Sequence, residues 1–376
     1  MKVKFFITPV YPYGDDHYYH EIIALAEGFK GLGHEVFSNH DYWFIPEQSQ
    51  FLLQGSKSTA FDLGIYDYRY ARSFEHLLFR EGFPNFPNHA KLVLIDRNDG
   101  ISPIWELNKT YVKAFDLIFS GNLFISKSYP TKVKPWAIGL TSRQMKYLDF
   151  RSRAEMKDQI GYNFRIGHNM RKVVFDNLQA CDLPYQLVNE VTHKQQEVVE
   201  VLNKIDSSYN SASTGRHHPE YFNKLNTNLL FLTFGGYLEY KPIRYRPYNF
   251  ESRVSRKFFH LRARLERVLG LSDEHNYLVY QQDNFRFWEA MYSSTCPISL
   301  ETEKWDYLLP ENPVNGIHYI GITDLKCSNV SDKLNKLARE EIKMIGSNGK
   351  QWAFQHYSPT AQAKRVLNSL NEEITN

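Results

Sequence analysis

Tyr280-Gln281-Gln282-Asp283-Asn284-Phe285-Arg286-Phe287-Trp288-Glu289-Ala290-Met291, running on into Tyr292-Ser293-Ser294-Thr295-Cys296-Pro297-Ile298-Ser299-Leu300, is the stretch from which the fold of this chain can be read. Leu278-Val279-Tyr280 is a short apolar, β-prone run. Asp283 or Asn284 can cap a following helix through its side-chain oxygen. Phe287, Ala290 and Met291 recur at helical spacing and are expected to face inward. Arg286 and Glu289, three apart, lie near each other on that helix. Ser293-Ser294 and Pro297 end it, and Ile298-Ser299-Leu300 begins another strand. Strand, helix and strand make an α/β unit, with a helix N-terminus suited to a phosphate.

These residues carry a resemblance. Arg286-x-x-Glu289-Ala290-Met291, a short polar turn and Cys296-Pro297-Ile298 resemble the donor-site segment of GT-B glycosyltransferases. The Glu289 to Pro297 distance is similar to that in the exostosin-type branch. Ser294 stands where that family usually has Gly. The retaining enzymes' Glu-x7-Glu pair would need Glu at position 281, where this chain has Gln281.

The chain has 376 residues, long enough for two domains. At 42% hydrophobic and 23% charged residues, both can bury cores. The net charge of +3 is too small for a general nucleic-acid binder. Cys181, Cys296 and Cys327 are widely spaced, so neither a disulfide framework nor a zinc site is expected. That favours a reducing compartment. No apolar run is long enough to cross a bilayer. The expected location is cytoplasmic, with peripheral contact at the inner face of a membrane left open.

The N-terminal half alternates strands and helices. Lys2–Thr8 reads as a strand, and Ile22, Leu25, Ala26, Phe29 and Leu32 mark a helix. Gly31 and Gly33 stop it before the strand His34–Phe37. This βαβ opening resembles that of GT-B enzymes. Further strands are expected at Leu63–Tyr66, Lys91–Ile95, Asp116–Phe119 and Val133–Ile138, giving a parallel sheet. No Gly-x-Gly-x-x-Gly follows the first strand, which argues against an NAD enzyme. Residues 141–160 are polar and read as a connector. In the second half, Tyr185–Val188, Leu229–Phe234, Leu278–Tyr280, Ile298–Leu300 and His318–Ile322 are strand candidates. Gln195–Ile205, Ser252–Leu269 and Ser331–Ile345 are helix candidates. The closing segment around Trp352 and Pro359 resembles the GT-B C-terminal helix that crosses back to the first domain.

The expected fold class is therefore α/β, with two Rossmann-like domains facing each other across a cleft. The expected boundaries are 1–140 for an acceptor domain, 141–160 for a connector, 161–350 for a donor domain and 351–376 for the returning helix.

In open α/β sheets ligands bind beyond the carboxyl ends of the strands. That rule points to four loops. Asp15, Asp16 and His17 follow the first strand, and Asp16 or His17 is the candidate general base for an acceptor hydroxyl. Asp96 ends a strand and could reach the cleft. Gly235-Gly236 let backbone N–H groups approach a diphosphate, with Lys241 and Arg244 to offset its charge. The resemblance implies that Arg286 binds the donor diphosphate and Glu289 the ribose hydroxyls, with Asn284 on a phosphate or the sugar. Arg216-His217-His218 has no ligand spacing, the Asp96 loop is not an Asp-x-Asp motif, and the resemblance implies that no essential metal is needed. A basic, aromatic-rich stripe runs from Lys241 to Arg267 and suits anionic lipid, a lipid diphosphate or nucleic acid.

The function implied is glycosyl transfer from a nucleotide-diphosphate sugar to a glycan or lipid-linked glycan. The nucleotide sugar is then a substrate, and no cofactor is expected. The absent Glu at position 281 tilts this towards inversion. The alternatives are a nucleotide-sugar epimerase on the same fold, or a non-catalytic nucleotide or nucleic-acid binder using the 241–267 stripe. The low net charge argues against nucleic acid as the partner.

Overall fold

The computed structural model describes residues 1–8, 18–45, 48–73, 87–97, 103–148, 156–164, 169–190, 219–240 and 277–375. In chain order the first half contains β1 (Lys2–Phe6), α1 (His20–Gly31), β2 (Glu35–Ser38), β3 (Tyr42–Ile45), β4 (Gln50–Leu53), β5 (Leu63–Asp67), α2 (Tyr68–Ser73) and β6 (Lys91–Asp96). It continues with α3 (Ile104–Leu107), α4 (Thr110–Ala114), β7 (Leu117–Ser120), β8 (Leu123–Phe124), β9 (Val133–Pro135) and α5 (Ser142–Leu148). Six strands form a parallel sheet in the order β2-β1-β5-β6-β7-β9. Its central strands are apolar on both faces, as parallel strands covered by helices must be. β3 and β4 form an antiparallel hairpin at its side.

The second half contains β10 (Lys157–Tyr162), α6 (Asn169–Ala180), β11 (Gln186–Asn189), α7 (Pro219–Thr227), β12 (Asn228–Leu232), β13 (Tyr237–Tyr240), β14 (Tyr277–Tyr280), α8 (Phe285–Tyr292) and β15 (Cys296–Leu300). Then come β16 (Tyr307–Leu308), β17 (Ile320–Ile322), α9 (Ser328–Leu334), α10 (Arg339–Tyr357) and α11 (Pro359–Thr375). A second parallel sheet has the order β11-β10-β12-β15-β17. In each sheet the strand order reverses beside the first strand, at β1/β5 and at β10/β12. Such a reversal opens a crevice at the strands' carboxyl ends.

The expected strands recur in this list, and three features differ from expectation. β14 does not join the parallel sheet; it pairs antiparallel with β13. The α/β unit around α8 is therefore β12, a hairpin, α8 and β15. β10 begins at Lys157, inside the stretch read as connector. Its sequence, Lys-Asp-Gln-Ile-Gly-Tyr, shows little apolar pattern because Lys157 and Asp158 are exposed. The helix expected over Ser331–Ile345 is two helices, broken where Ala338 adopts an extended conformation.

The chain passes between the halves at 136–141 and again at 357–359. Leu140 N–H donates to the Tyr357 carbonyl at 3.1 Å, and the buried Gln362 amide donates to the Ala137 carbonyl at 3.0 Å. Ser358-Pro359 ends α10, since proline cannot continue that helix's hydrogen bonding. α11 then lies on α1, where Ala363, Val366 and Leu370 join the core of the first sheet. Gly28 makes this crossing possible: a Cβ there would stand 2.0 Å from the Pro359 carbonyl oxygen. A separate apolar cluster fills the junction, with Trp288 in contact with Tyr357 at 4.2 Å between ring centroids.

Candidate functional site

The crevice at the β10/β12 reversal is built from three short turns. β10 ends at Tyr162 and leads through Asn163 and Phe164 towards α6. β12 ends at Leu232 and runs through Thr233, Phe234, Gly235 and Gly236 into β13. β14 runs through Gln281 to Asn284 into α8. Asn284 locks the last two turns together. Its Oδ1 accepts from Phe287 N–H at 3.3 Å, capping α8. Its Nδ2 donates to the Thr233 and Gln282 carbonyls at 2.7 and 3.1 Å. It therefore shapes the turn.

Gly236 has φ +105°, and a Cβ on it would stand 2.4 Å from the Tyr280 carbonyl oxygen. Only glycine fits where β13 folds back onto β14. Gly235 is different. A Cβ there would meet Asn284 Nδ2 at 3.4 Å and Arg171 Nη2 at 3.5 Å, which is ordinary contact. Gly235 thus marks the spot where backbone, Asn284 and an arginine converge.

That arginine escapes the sequence reading. Arg171 lies in the first turn of α6, and Asn169 fixes that turn to β13 by a two-way bond with Leu238: Nδ2 to O at 2.7 Å and N to Oδ1 at 2.8 Å. Burial and the neighbouring Arg286 charge push the Arg171 guanidinium down to about 10. Arg286 itself is oriented by an Nε–H bond to the Asn163 carbonyl. Two half-buried guanidiniums thus stand close enough to repel at the carboxyl ends of β10 and β12, beside the N-terminus of α8. An anion with several oxygens is the ligand that this charge pattern suits.

Glu289 differs from its expected role. It is 2% exposed, and both carboxylate oxygens have protein partners. Gln144 Nε2 of α5 donates to Oε1 at 2.8 Å, and the Tyr221 hydroxyl of α7 donates to Oε2 at 2.8 Å. Burial, and then the Glu289 charge, push the Tyr221 phenol well up. As placed, Glu289 ties α8 to α5 and α7 instead of offering a surface to a ribose.

Asp96 is also buried, at 1% exposure, and its Oδ2 accepts from Ile104 N–H at 2.7 Å. It fastens the start of α3 to the end of β6. Its neighbour Arg97 crosses between the halves. Arg97 Nε donates to Glu21 Oε1 of α1 at 3.0 Å, and Nη1 donates to Asp283 Oδ2 at 3.2 Å. Asp283 also accepts from Ile138 N–H at 2.7 Å and from Trp288 Nε1 at 2.6 Å. Burial raises the Asp283 carboxyl, while Arg97 and these bonds restrain it. Burial also raises Glu21, but Arg97 and His20 outweigh it, leaving its carboxyl below the usual range.

Asp16, His17, Lys241 and Arg244 lie outside the described residues, as do Asp15, Arg216–His218, the helix candidates at 195–205 and 252–269, and the 241–267 stripe. Tyr18, Tyr19 and His20 directly follow the acceptor-side loop. The His20 Nδ1 lies 2.9 Å from the Tyr18 hydroxyl and its Nε2 3.2 Å from the Gly139 carbonyl. Among the described residues no group of three or more His, Cys, Asp or Glu side chains could hold a metal ion. Nor is any described helix long and apolar enough to cross a membrane.

No protein-family model matches this sequence, and no curated protein matches it. Solved structures do. The chain is similar to an alpha-glucosyltransferase in complex with UDP-glucose and DNA containing an abasic site, at 11% identity and TM-score 0.54 over 99% of each chain. It is similar to an alpha-glucosyltransferase in complex with UDP at 10% identity and TM-score 0.54, over 99% of this chain and 100% of that one. A glycosyltransferase from Rickettsia africae ESF-5 matches at 10% identity and TM-score 0.50, over 100% and 99% of the two chains. At such identities the likeness speaks to architecture: the chain has the GT-B fold of these enzymes.

Proposed function

We propose that this chain is a glycosyltransferase that moves a sugar from a nucleoside-diphosphate sugar to a hydroxyl acceptor. The observation that carries the reading is the pairing of Arg171 and Arg286 at the β10/β12 reversal, beside Gly235 and the capped N-terminus of α8. In this reading the two guanidiniums hold the diphosphate and stabilise its charge as the glycosidic bond breaks. That positive charge stands where a divalent cation would otherwise be needed, which supports transfer without metal. Gly235, lacking a side chain, would let a phosphate oxygen come close to its backbone, and Asn284 keeps the turn in shape. UDP is the first nucleotide to test, because two of the similar enzymes were solved with UDP or UDP-glucose. The acceptor-side base falls to Asp16 or His17, and inversion follows if one of them acts directly on the acceptor.

Calorimetric titration with UDP, GDP, ADP, CMP and dTDP tests the site. One nucleotide should bind, and Arg286→Met or Arg171→Met should weaken it by at least about tenfold, the size of one lost charge-assisted bond. If no nucleotide binds at millimolar concentration, or if both variants bind as the wild type does, the reading fails. Transfer in the presence of EDTA, with the anomeric configuration of the product read by NMR, tests metal independence and inversion.

For the acceptor we favour a glycan or lipid-linked glycan, in keeping with the low net charge; the latter would bring the chain to a membrane surface from the cytoplasm. A DNA acceptor is the second reading. It is favoured by the likeness to an alpha-glucosyltransferase solved with DNA and by the basic 241–267 stripe. Labelled sugar transferred to duplex DNA, with a steep loss of binding in salt, would select it. Sugar isomerised with no acceptor present would select an epimerase instead.

A further inference from the structure

A second polar recess lies between β9 and α11, beside the chain crossing. It is open to solvent on one side and has a volume of about 440 Å³, within the range of small-molecule sites. One wall is the edge strand β9, which contributes Lys134. The other is a face of α11, where Lys364, Arg365, Asn368 and Glu372 recur at helical spacing. Glu311, and His356 at the end of α10, also line it. The walls belong to different parts of the fold, because β9 edges the first sheet while Glu311 and His356 come from the second half.

Arg365 is held ready. Its guanidinium donates to the His356 carbonyl at 2.7 Å and to Gln362, and it lies over the Tyr357 ring at 5.0 Å. Those contacts fix its orientation at little further entropic cost, which is what a binding arginine requires. Lys134 and Lys364 approach from opposite walls, and among the described residues neither makes an ion pair. Three cations and two carboxylates thus line the recess, with His356, Asn368 and Ser369 as further polar groups.

We propose that this recess is a second anion site, distinct from the nucleotide site, which takes a small phosphorylated ligand whose phosphate oxygens lie between Lys134, Lys364 and Arg365. The mixed lining suits a phosphate attached to a hydroxyl-bearing body more than a bare ion. Because its walls come from both halves, a ligand there would brace the crossing at 357–359.

The probes are inorganic tripolyphosphate and glucose 6-phosphate, titrated into the full chain by calorimetry at 0.15 M salt, with and without saturating UDP. At least one probe should bind saturably at millimolar concentration or tighter, and UDP should not displace it. Lys134→Ala with Lys364→Ala should weaken that binding by at least about tenfold and leave the response to UDP unchanged. Lys350→Ala, on another face, should change nothing. The proposal is overturned if neither probe binds at 10 mM. It is also overturned if UDP competes the probe away, which would assign the binding to Arg171 and Arg286, or if the double variant binds like the wild type.

Discussion

Replacing Arg97 with Met should cost far more stability at pH 7.5 than at pH 5. The side chain keeps its length and loses its charge. In the wild type the guanidinium is 10% exposed and lies between Glu21 and Asp283, whose side chains are 11% and 1% exposed. Removing it leaves two buried carboxylates without their cation. Breaking such a pair costs about 3–5 kcal/mol, because the remaining charge is desolvated and uncompensated. That is a large part of the roughly 5–15 kcal/mol that holds a typical domain.

The pH dependence separates this cause from lost packing. The folded Glu21 carboxyl sits below its unfolded value, so it contributes stability above the unfolded pKa and loses it as pH falls through the folded one. Asp283 sits above its unfolded value, so it lowers stability as pH rises through that window. Without Arg97 both groups move up. Each then takes a proton in the folded state where the unfolded chain has lost it, and the deficit of the variant grows from about pH 4 towards neutrality. Urea unfolding followed by tryptophan fluorescence at the two pH values measures this. A deficit below about 1 kcal/mol at pH 7.5, or one equal at both pH values, would refute the bridge as a source of stability. Gly121→Ala tests the geometry independently, since its Cβ would stand 2.6 Å from Arg97 Nη1 and push the guanidinium off its partners.

Three further outcomes are expected. Gly236→Ala should lower stability by at least about 1–2 kcal/mol and weaken nucleotide binding, whereas Gly235→Ala should fold normally and lose only binding; thermal melts with and without UDP distinguish them. Ser294, with φ +66°, should accept Gly with no loss of melting temperature, whereas Val, β-branched and strained in the left-handed region, should lower it clearly. Glu27 accepts from Ser142 N–H at 2.7 Å at the start of α5, and burial pushes its carboxyl up to about 7. The folded chain therefore binds its proton more tightly than the unfolded chain does. Stability should fall as pH rises from about 4.5 to 7, and Glu27→Gln should reduce that fall by on the order of 1 kcal/mol in urea titrations at pH 5 and 8.

What the sequence made legible depended on whether the signal was local. β5, β6, β12 and β15 are largely apolar on both faces and short, so their pattern alone marks them as buried parallel strands. The cap at Asn284 and the inward face of α8 are likewise decided within one turn of helix. β10 was hidden because its buried centre is Ile160 beside Gly161, where a Cβ would meet the Phe231 ring at 2.8 Å. Glycine there lets β12 come close, yet reads in sequence as a break. Arg171 was hidden with it, since only a strand ending at Tyr162 places that helix start in the crevice. The β13–β14 pairing joins segments that sequence separates by 241–276, and no local periodicity records such a partner. Ser294 was visible as a departure from a usual glycine, and its positive φ supplies the physical reason glycine would be favoured there.

The segment from Asp283 to Glu289 also explains why a donor-site pattern and a buried hinge could be mistaken for one another. A helix turns about 100° per residue, so Arg286 and Trp288 point about 200° apart. Arg286 turns towards Asn163 and Arg171. Trp288 turns towards the junction, against Tyr357, whereas Glu289, about 60° from Arg286 around the helix, reaches Gln144 and Tyr221. A single short helix thus carries the anion site on one side and the joint between the halves on the other. Truncating Arg286 should change nucleotide affinity with little loss of stability. Truncating Glu289 to Ala should act first on stability, because it leaves Gln144 and Tyr221 with buried donors unpaired, at about 1–3 kcal/mol for each donor. Equal losses of affinity and stability from both substitutions would mean that the binding role of Arg286 and the structural role of Glu289 are not separable in this way.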